Sequence, residues 1–279
     1  MAKSKSLSRR NMLKTGAAAF AATTTITNPL LASPKQPGET RVIFLVGDIW
    51  HNPVMQENYW RQTLRPTGWR LMFAQSAAFI TPEVLKDADL FIFCRYAGGD
   101  SLGWDPSKFV EDRTTSGYFM SEEHEAAIVD NVVNRGMGII ATHCSVVQND
   151  RQKYMALLGI KEYIPHTPVQ PAHIHMLNLN HPITKGIEEF DLDDDEIFDS
   201  VPLEGVKTTH LFNTSGEEVK IDARGGWCRE EGKGRIVALL PGHIPEPYQK
   251  VPYRKIMWRA AHWVLKRDIP SDDHIKGRY

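Results

Sequence analysis

Gly136-Met137-Gly138-Ile139-Ile140-Ala141-Thr142-His143-Cys144-Ser145 has the form of a buried strand running straight into a tight turn that presents polar groups. Residues 137–141 are apolar without alternation, the signature of a central strand in a parallel sheet covered on both faces. A hydroxyl, an imidazole and a thiol follow in succession. In open α/β sheets ligands bind outside the carboxyl ends of the strands, so His143 and Cys144 stand where a reactive group is useful.

Outward from this strand, the same character recurs in Arg41–Val46, Leu90–Cys94 and residues 235–240, with a shorter strand at Arg70–Ala74. Helices alternate with them. One covers residues 54–64. Another opens at Thr81-Pro82, with proline at the favoured first helical position. A third has Ser121 as its N-cap; Ile128, Val129, Val132 and Val133 form its buried stripe, and His124 and Glu125 face solvent. A fourth is capped by Asn149 or Asp150 and stopped by Gly159. The last is an amphipathic helix over residues 251–266. The alternation predicts an α/β fold, a doubly wound, mostly parallel sheet with right-handed crossovers. Strands at 173–177 and 206–212, and a hairpin from Gly225-Gly226 to Gly232-Lys233-Gly234, add an antiparallel extension. His173 and His175 share one exposed strand face, and Cys94 reads as core packing.

The amino terminus speaks to location. Ser8-Arg9-Arg10-Asn11-Met12-Leu13-Lys14 has the twin-arginine arrangement, ahead of an Ala- and Thr-rich run at 15–26. That is an export signal leading to the periplasm or the exterior; the run is too short and too polar for a membrane span of about 20 residues. Cleavage after Ala32 leaves one domain, residues 33–279. It removes Lys3, Lys5, Arg9, Arg10 and Lys14 and no acid, so the 33 basic side chains fall to 28 against 34 acidic ones. Such a balance excludes a general binder of nucleic acid or anionic membrane. The three cysteines, Cys94, Cys144 and Cys228, form no disulfide framework, though an oxidising compartment allows one bridge.

Candidate chemistry gathers at the carboxyl ends of the strands. Asp48 and His51 follow the first strand, His143 ends the strand at 137–141, and His243 follows residues 235–240. One reading is a Cys144 nucleophile with His243 and Glu246 behind it, although the turn lacks the glycines that let a nucleophile elbow adopt its strained geometry. The other is a metal held by His51, His143 and His243 with a carboxylate from the acidic run 191–196. That run leads into Ile197-Phe198, which would draw Glu196 inward. The long loop at 97–118 could fold over this edge, with Trp104 stacking on a sugar face; Trp50 and Tyr248 are further candidates for substrate contact.

Thr142-His143-Cys144-Ser145, His181-Pro182-Ile183-Thr184-Lys185-Gly186-Ile187, Asp195-Glu196-Ile197-Phe198, Gly232-Lys233-Gly234-Arg235-Ile236-Val237 and Leu240-Pro241-Gly242-His243 occur in that order. Together they resemble the trehalose-utilisation (ThuA-like) family over residues 41–266. The resemblance implies a class I glutamine amidotransferase-like, flavodoxin-like fold, a role in carbohydrate metabolism, and a divalent metal such as zinc or manganese. It matches His143 to the family's elbow imidazole, His51 to the first-strand loop, Glu196 to the acidic pair and His243 to the last loop. Phe198 stands where the family often has Tyr, and centring on His143 demotes Cys144. The implied substrate is a small carbohydrate, a keto-sugar or 3-keto-glycoside made by a partner sugar dehydrogenase, with Glu196, His143 and Asp48 as catalytic groups for isomerisation, elimination, hydration or cleavage. A Cys-dependent amidohydrolase and a non-catalytic sugar-binding protein are the alternatives, and a homo-oligomer is allowed.

Overall fold

The first strand, β1 (Arg41–Val46), is buried along its whole length, as its β-branched and aromatic residues require. It pairs in parallel with β2 (Arg70–Ala74) on one side and β3 (Leu90–Cys94) on the other. Then come β4 (Gly138–Thr142) beside β3, and β11 (Gly234–Leu239) in parallel beside β4. The computed structural model of the protein describes residues 28–31, 33–48, 50–96, 120–148 and 150–277.

The order β2-β1-β3-β4-β11 is that of a flavodoxin-like doubly wound sheet, whose ligand crevice lies where the strand order reverses. Beyond β11 the sheet continues antiparallel through β10 (Ile221–Glu231), β9 (Thr209–Gly216), β6 (Gln170–Met176) and the edge strand β7 (Phe190–Asp195), nine strands among the described residues. A separate two-stranded sheet joins β5 (Ile160–Ile164) to β8 (Asp199–Pro202). The expected fold class, with its antiparallel extension, is the observed one.

Helices cover both faces. On one side α1 (Pro53–Leu64) packs with α6 (Val251–Val264), which buries Ile256, Met257, Ala260 and Val264 as its period predicts. On the other lie α2 (Pro82–Asp87), α3 (Glu122–Asp130) and α4 (Gln152–Leu158), while the short α5 (Pro245–Gln249) leads into α6 on the first side. Thr81 caps α2 and Ser121 caps α3, each through its hydroxyl. Two apolar clusters result, one per face of the sheet. All three cysteines are buried and free. Among the described residues no helix is long and apolar enough to cross a membrane. Just ahead of the expected junction at Ala32, Leu30 is buried against the domain and the Asn28 amide donates to the Phe79 carbonyl.

Two expectations about helix surfaces are corrected. His124 and Glu125 are buried rather than solvent-facing, because α4 packs across α3 at that face. His124 Nδ1 accepts the Ser121 N–H in a capping box. Glu125 Oε1 accepts the N–H groups of Lys153 (2.8 Å) and Tyr154 (3.0 Å). The first turn of α4 is therefore satisfied by a carboxylate from the neighbouring helix, where Asn149 or Asp150 was expected, and its N-cap position is Arg151.

Candidate active site

The loop after β1 is built around one buried carboxylate. Gly47 turns the chain in the left-handed region (φ 71°), and a Cβ there would lie 2.4 Å from Pro53 Cβ, so only glycine fits the entry into α1. Asp48, with no exposed surface, then accepts N–H groups from Trp50 (2.7 Å), His51 (3.1 Å) and Tyr96 (2.7 Å). His51 Nδ1 lies 2.8 Å from both of its oxygens. Burial would raise this carboxyl, but His51 and the backbone donors outweigh it and hold it below its ordinary value. An ionised Asp48 fixes the His51 proton on Nδ1 and leaves Nε2 to look across the site, 3.3 Å from His243 Nδ1. Asp48 thus acts through His51 rather than as a free acid or base.

His143 stands at the end of β4 with φ 48°, a left-handed conformation that costs a non-glycine residue energy and tends to mark functional sites. Its ring is fully buried, edge-on to Phe198 at 4.5 Å between centroids. Nδ1 donates to the Leu240 carbonyl at the end of β11 (3.0 Å). Nε2 is buried without a hydrogen-bond partner, 3.5 Å from Glu196 Oε2. Burial pulls this imidazole down to about 4, so it is neutral, with its lone pair on Nε2.

The third imidazole depends on Asp195, the last residue of β7. Its buried carboxyl group accepts the N–H of Gly242 (2.8 Å) and of His243 (3.0 Å), tying the loop after β11 to the end of the edge strand. Burial pushes that carboxyl up to about 8 against the pull of those donors. Tyr253 donates to the Pro241 carbonyl (2.6 Å) and Tyr248 to the Gly242 carbonyl (3.3 Å). Tyr248 is therefore corrected from substrate contact to buried support, stacked on Tyr59 with its hydroxyl spent on the loop. Held in this way, His243 Nδ1 comes within 3.2 Å of Glu196 Oε2. Burial would raise Glu196, yet the neighbouring imidazoles of His143, His243 and His166 bring it below the ordinary carboxylate value.

One ligand atom each from His51, His143, Glu196 and His243 lies within 4.8 Å of the others. The structure brings together the three imidazoles and the carboxylate anticipated for a metal. It does not assemble the alternative Cys144, His243, Glu246 set. Cys144 Sγ meets His51 Nδ1 (3.4 Å) and donates to Asp48 Oδ2 (3.8 Å), and Glu246 pairs with Lys250 (2.7 Å). Burial, with the Asp48 charge beside it, pushes the thiol far above its ordinary range, the opposite of what a nucleophile needs. Trp50 is partly exposed in the loop that carries His51; Trp104 lies outside the described residues.

Two site residues escaped the sequence reading. Asp195 was passed over for its neighbour. His166, on the segment leaving β5, lies with Nδ1 3.4 Å from Glu196 Oε1 and its ring 4.9 Å from Phe198, open to solvent on the outer side. Nothing in Pro165-His166-Thr167 marks a strand end, so no signal pointed to it.

Comparisons with known proteins agree with this architecture. A ThuA-like protein of Bacteroides uniformis superposes with TM-score 0.63 at 16% identity, covering 85% of this chain and 95% of its own. A ThuA-like protein of Parabacteroides merdae gives 0.60 at 15%, with 84% and 94% covered. A β-galactosidase of Rahnella reaches 0.51 at 13% over 83% of this chain and 32% of its own, a likeness of fold alone. No curated protein matches the sequence. The trehalose-utilisation family, ThuA, matches residues 41–264. Those are the first residue of β1 and the last of α6, so no strand of the core sheet falls outside the match, and the chain belongs to the ThuA family.

Proposed function

We propose that this chain is an exported, metal-dependent enzyme acting on a small oxidised carbohydrate, a keto-sugar or 3-keto-glycoside. The observation that carries the reading is the set of lone pairs at the centre of the site. The His51 proton is committed to Asp48 and the His143 proton to Leu240, so both Nε2 atoms face Glu196 and His243 without a hydrogen to offer. Electron pairs and a carboxylate converging on one point repel one another until a cation stands between them. His51 Nε2, His143 Nε2, His243 Nδ1 and Glu196 Oε2 would hold a borderline divalent ion such as zinc or manganese. The orphaned His143 Nε2 is the atom that most needs one. Bound there, the ion supplies Lewis acidity toward a carbonyl oxygen.

The chain's own groups do the rest. Glu196 is ionised at neutral pH, and Oε1, the oxygen turned toward His166, accepts a proton from the carbon beside the keto group. His166, at the rim, passes that proton to and from solvent. Asp48 and Asp195 keep His51 and His243 in register, and Phe198 gives the site an apolar wall beside His143. Proton movement next to a keto group leads to isomerisation, or to elimination and hydration with cleavage of the glycoside. The keto group must come from a sugar dehydrogenase acting earlier. The twin-arginine stretch Ser8-Arg9-Arg10 supports export of a protein folded, and able to take up its metal, before it crosses.

The test is metal analysis of the purified mature protein together with turnover of a 3-keto-glycoside, with and without chelator and with His143→Ala as control. The expected result is about one equivalent of metal and activity lost with it. A metal-free wild type that turns substrate over would overturn the mechanism. Tight sugar binding without turnover would leave a binding protein in its place.

A further inference from the structure

We propose a second divalent-cation site at the outer edge of the sheet, formed by His173, His175 and Glu189. His173 and His175 stand two apart on β6 and so share a face of the strand, with ring centroids 4.3 Å apart. Each imidazole has one nitrogen engaged. His173 Nδ1 lies 2.5 Å from Asp191 Oδ1, across the β6–β7 pair, and His175 Nε2 lies 2.9 Å from Ser215 Oγ on β9. With the protons on those nitrogens, the lone pairs sit on His173 Nε2 and His175 Nδ1, and both face one carboxylate. His173 Nε2 is 3.5 Å from Glu189 Oε2, and His175 Nδ1 is 3.9 Å from Glu189 Oε1. Glu189 is itself placed by accepting the Met176 N–H (3.3 Å).

These separations are too long for good hydrogen bonds. The 3.5 Å separation suits two ligands on one ion, since donors about 2.0–2.2 Å from a tetrahedral centre stand roughly 3.3–3.6 Å apart, and the 3.9 Å one comes into that range with a few tenths of an ångström of side-chain movement. One ligand atom from each of the three lies within 4.8 Å of the others. Asp191 stands to His173 as Asp48 does to His51, a carboxylate holding the outer nitrogen so that the inner one is free. Two imidazoles and a carboxylate select zinc, copper or nickel over magnesium and calcium, and the half-exposed setting leaves the remaining positions to water.

The position in the fold gives the site a use. Glu189 precedes the first residue of β7, an edge strand with β6 as its ladder partner, and the other end of β7 carries Asp195 and Glu196. At about 3.3 Å per residue the two sites lie roughly 20 Å apart along one strand. An ion here clamps the start of the strand that ends in the catalytic carboxylate.

The test is calorimetric titration of the metal-stripped mature chain with Zn²⁺ at about pH 8, above the ordinary imidazole value, with Mg²⁺ as control. Wild type should take two equivalents of Zn²⁺ and no Mg²⁺. His173→Ala/His175→Ala should lose one equivalent while melting like wild type, since both rings are half-exposed. Asp191→Asn should weaken that equivalent by about 10–100-fold. An unchanged titration in the double variant overturns the inference, as does a single wild-type equivalent that vanishes with His143→Ala. A single equivalent that vanishes with the double variant instead upholds this site and counts against the catalytic metal.

Discussion

Asp48→Asn exchanges one buried oxygen for an amide and puts the first-strand loop under direct test. The carboxylate receives four N–H groups: Trp50 and His51 backbone at Oδ1, Tyr96 backbone at Oδ2, and His51 Nδ1 across both. An asparagine keeps one acceptor oxygen. Turned toward Trp50 and His51, it aims its NH₂ at the Tyr96 N–H. Turned the other way, it leaves two backbone donors facing an amide. Hydrogen bonds to a charged group contribute about 1.5–3 kcal/mol each, and breaking a buried charged pair costs about 3–5 kcal/mol. A loss of about 4 kcal/mol should lower the melting temperature of a domain this size by roughly 8–16 °C. The same substitution lets the His51 proton move to Nε2, which removes that lone pair from the site and should weaken Zn²⁺ binding by about 10–100-fold. The melt is followed by circular dichroism and binding by calorimetry. Because the folded Asp48 value is depressed, its contribution is complete above the ordinary value of 3.8 and is lost only as pH falls through the depressed one. The gap between wild type and variant should therefore hold constant from about pH 5 to 8. A variant that melts within about 2 °C of wild type and binds zinc equally well would refute the assignment of Asp48 as the anchor of His51.

The remaining predictions concern the turn, the helix cap and the thiol. Gly47→Ala meets both a left-handed φ and Pro53 Cβ at 2.4 Å, so it should lower stability by about 2–4 kcal/mol in urea unfolding; an unchanged midpoint would mean the turn relaxes freely. His124 is held below its ordinary 6.5 by burial, so the unfolded chain takes up its proton first and stability falls as pH drops from about 6.5 toward the depressed folded value. His124→Gln keeps an acceptor for the capping box without that proton, so the midpoint lost between pH 7.5 and 5.5 should shrink relative to wild type, and an equal loss would refute it. Cys144 should resist iodoacetamide in the native protein, and Cys144→Ala should keep its metal and activity. Rapid native labelling, or inactivation of the alanine variant with metal retained, would restore the thiol to the mechanism.

The parallel half of the sheet was legible because its strands announce themselves locally. Leu90–Cys94 is an unbroken apolar run between turn residues and Arg70–Ala74 is apolar after its first residue, and the bounds of both match the sequence reading. The antiparallel half was blurred. The strand expected at 206–212 runs instead from Thr209 to Gly216, and its register with β10 shifts on either side of Gly226, an irregularity that no periodicity foretells. β7 reads as an acidic run because it is an edge strand, where charge suits solvent and discourages further pairing. His124 and Glu125 were misplaced for a related reason: a helical period gives a helix its core face but not the neighbour that arrives on its flank.

The site divides along the same line. His51, His143 and His243 could be found because each stands at the carboxyl end of a strand visible in the sequence, whereas His166 and Asp195 are placed by β5, β7 and contacts across some 30 to 50 residues of chain. The chemistry itself turns on a single position of backbone strain. The turn lacks the glycines of an elbow, and the family resemblance centres it on His143 rather than Cys144. The positive φ falls on His143. That conformation directs the His143 ring toward Glu196 and sends the next side chain, Cys144, down beside Asp48. There a carboxylate already held ionised by His51 opposes formation of a thiolate. Had the strained residue been Cys144, the thiol would stand at the point of the turn and the imidazoles would serve it as bases. One residue of register at the end of β4 thus decides which side chain stands at the point of the turn, and in this chain it is the imidazole.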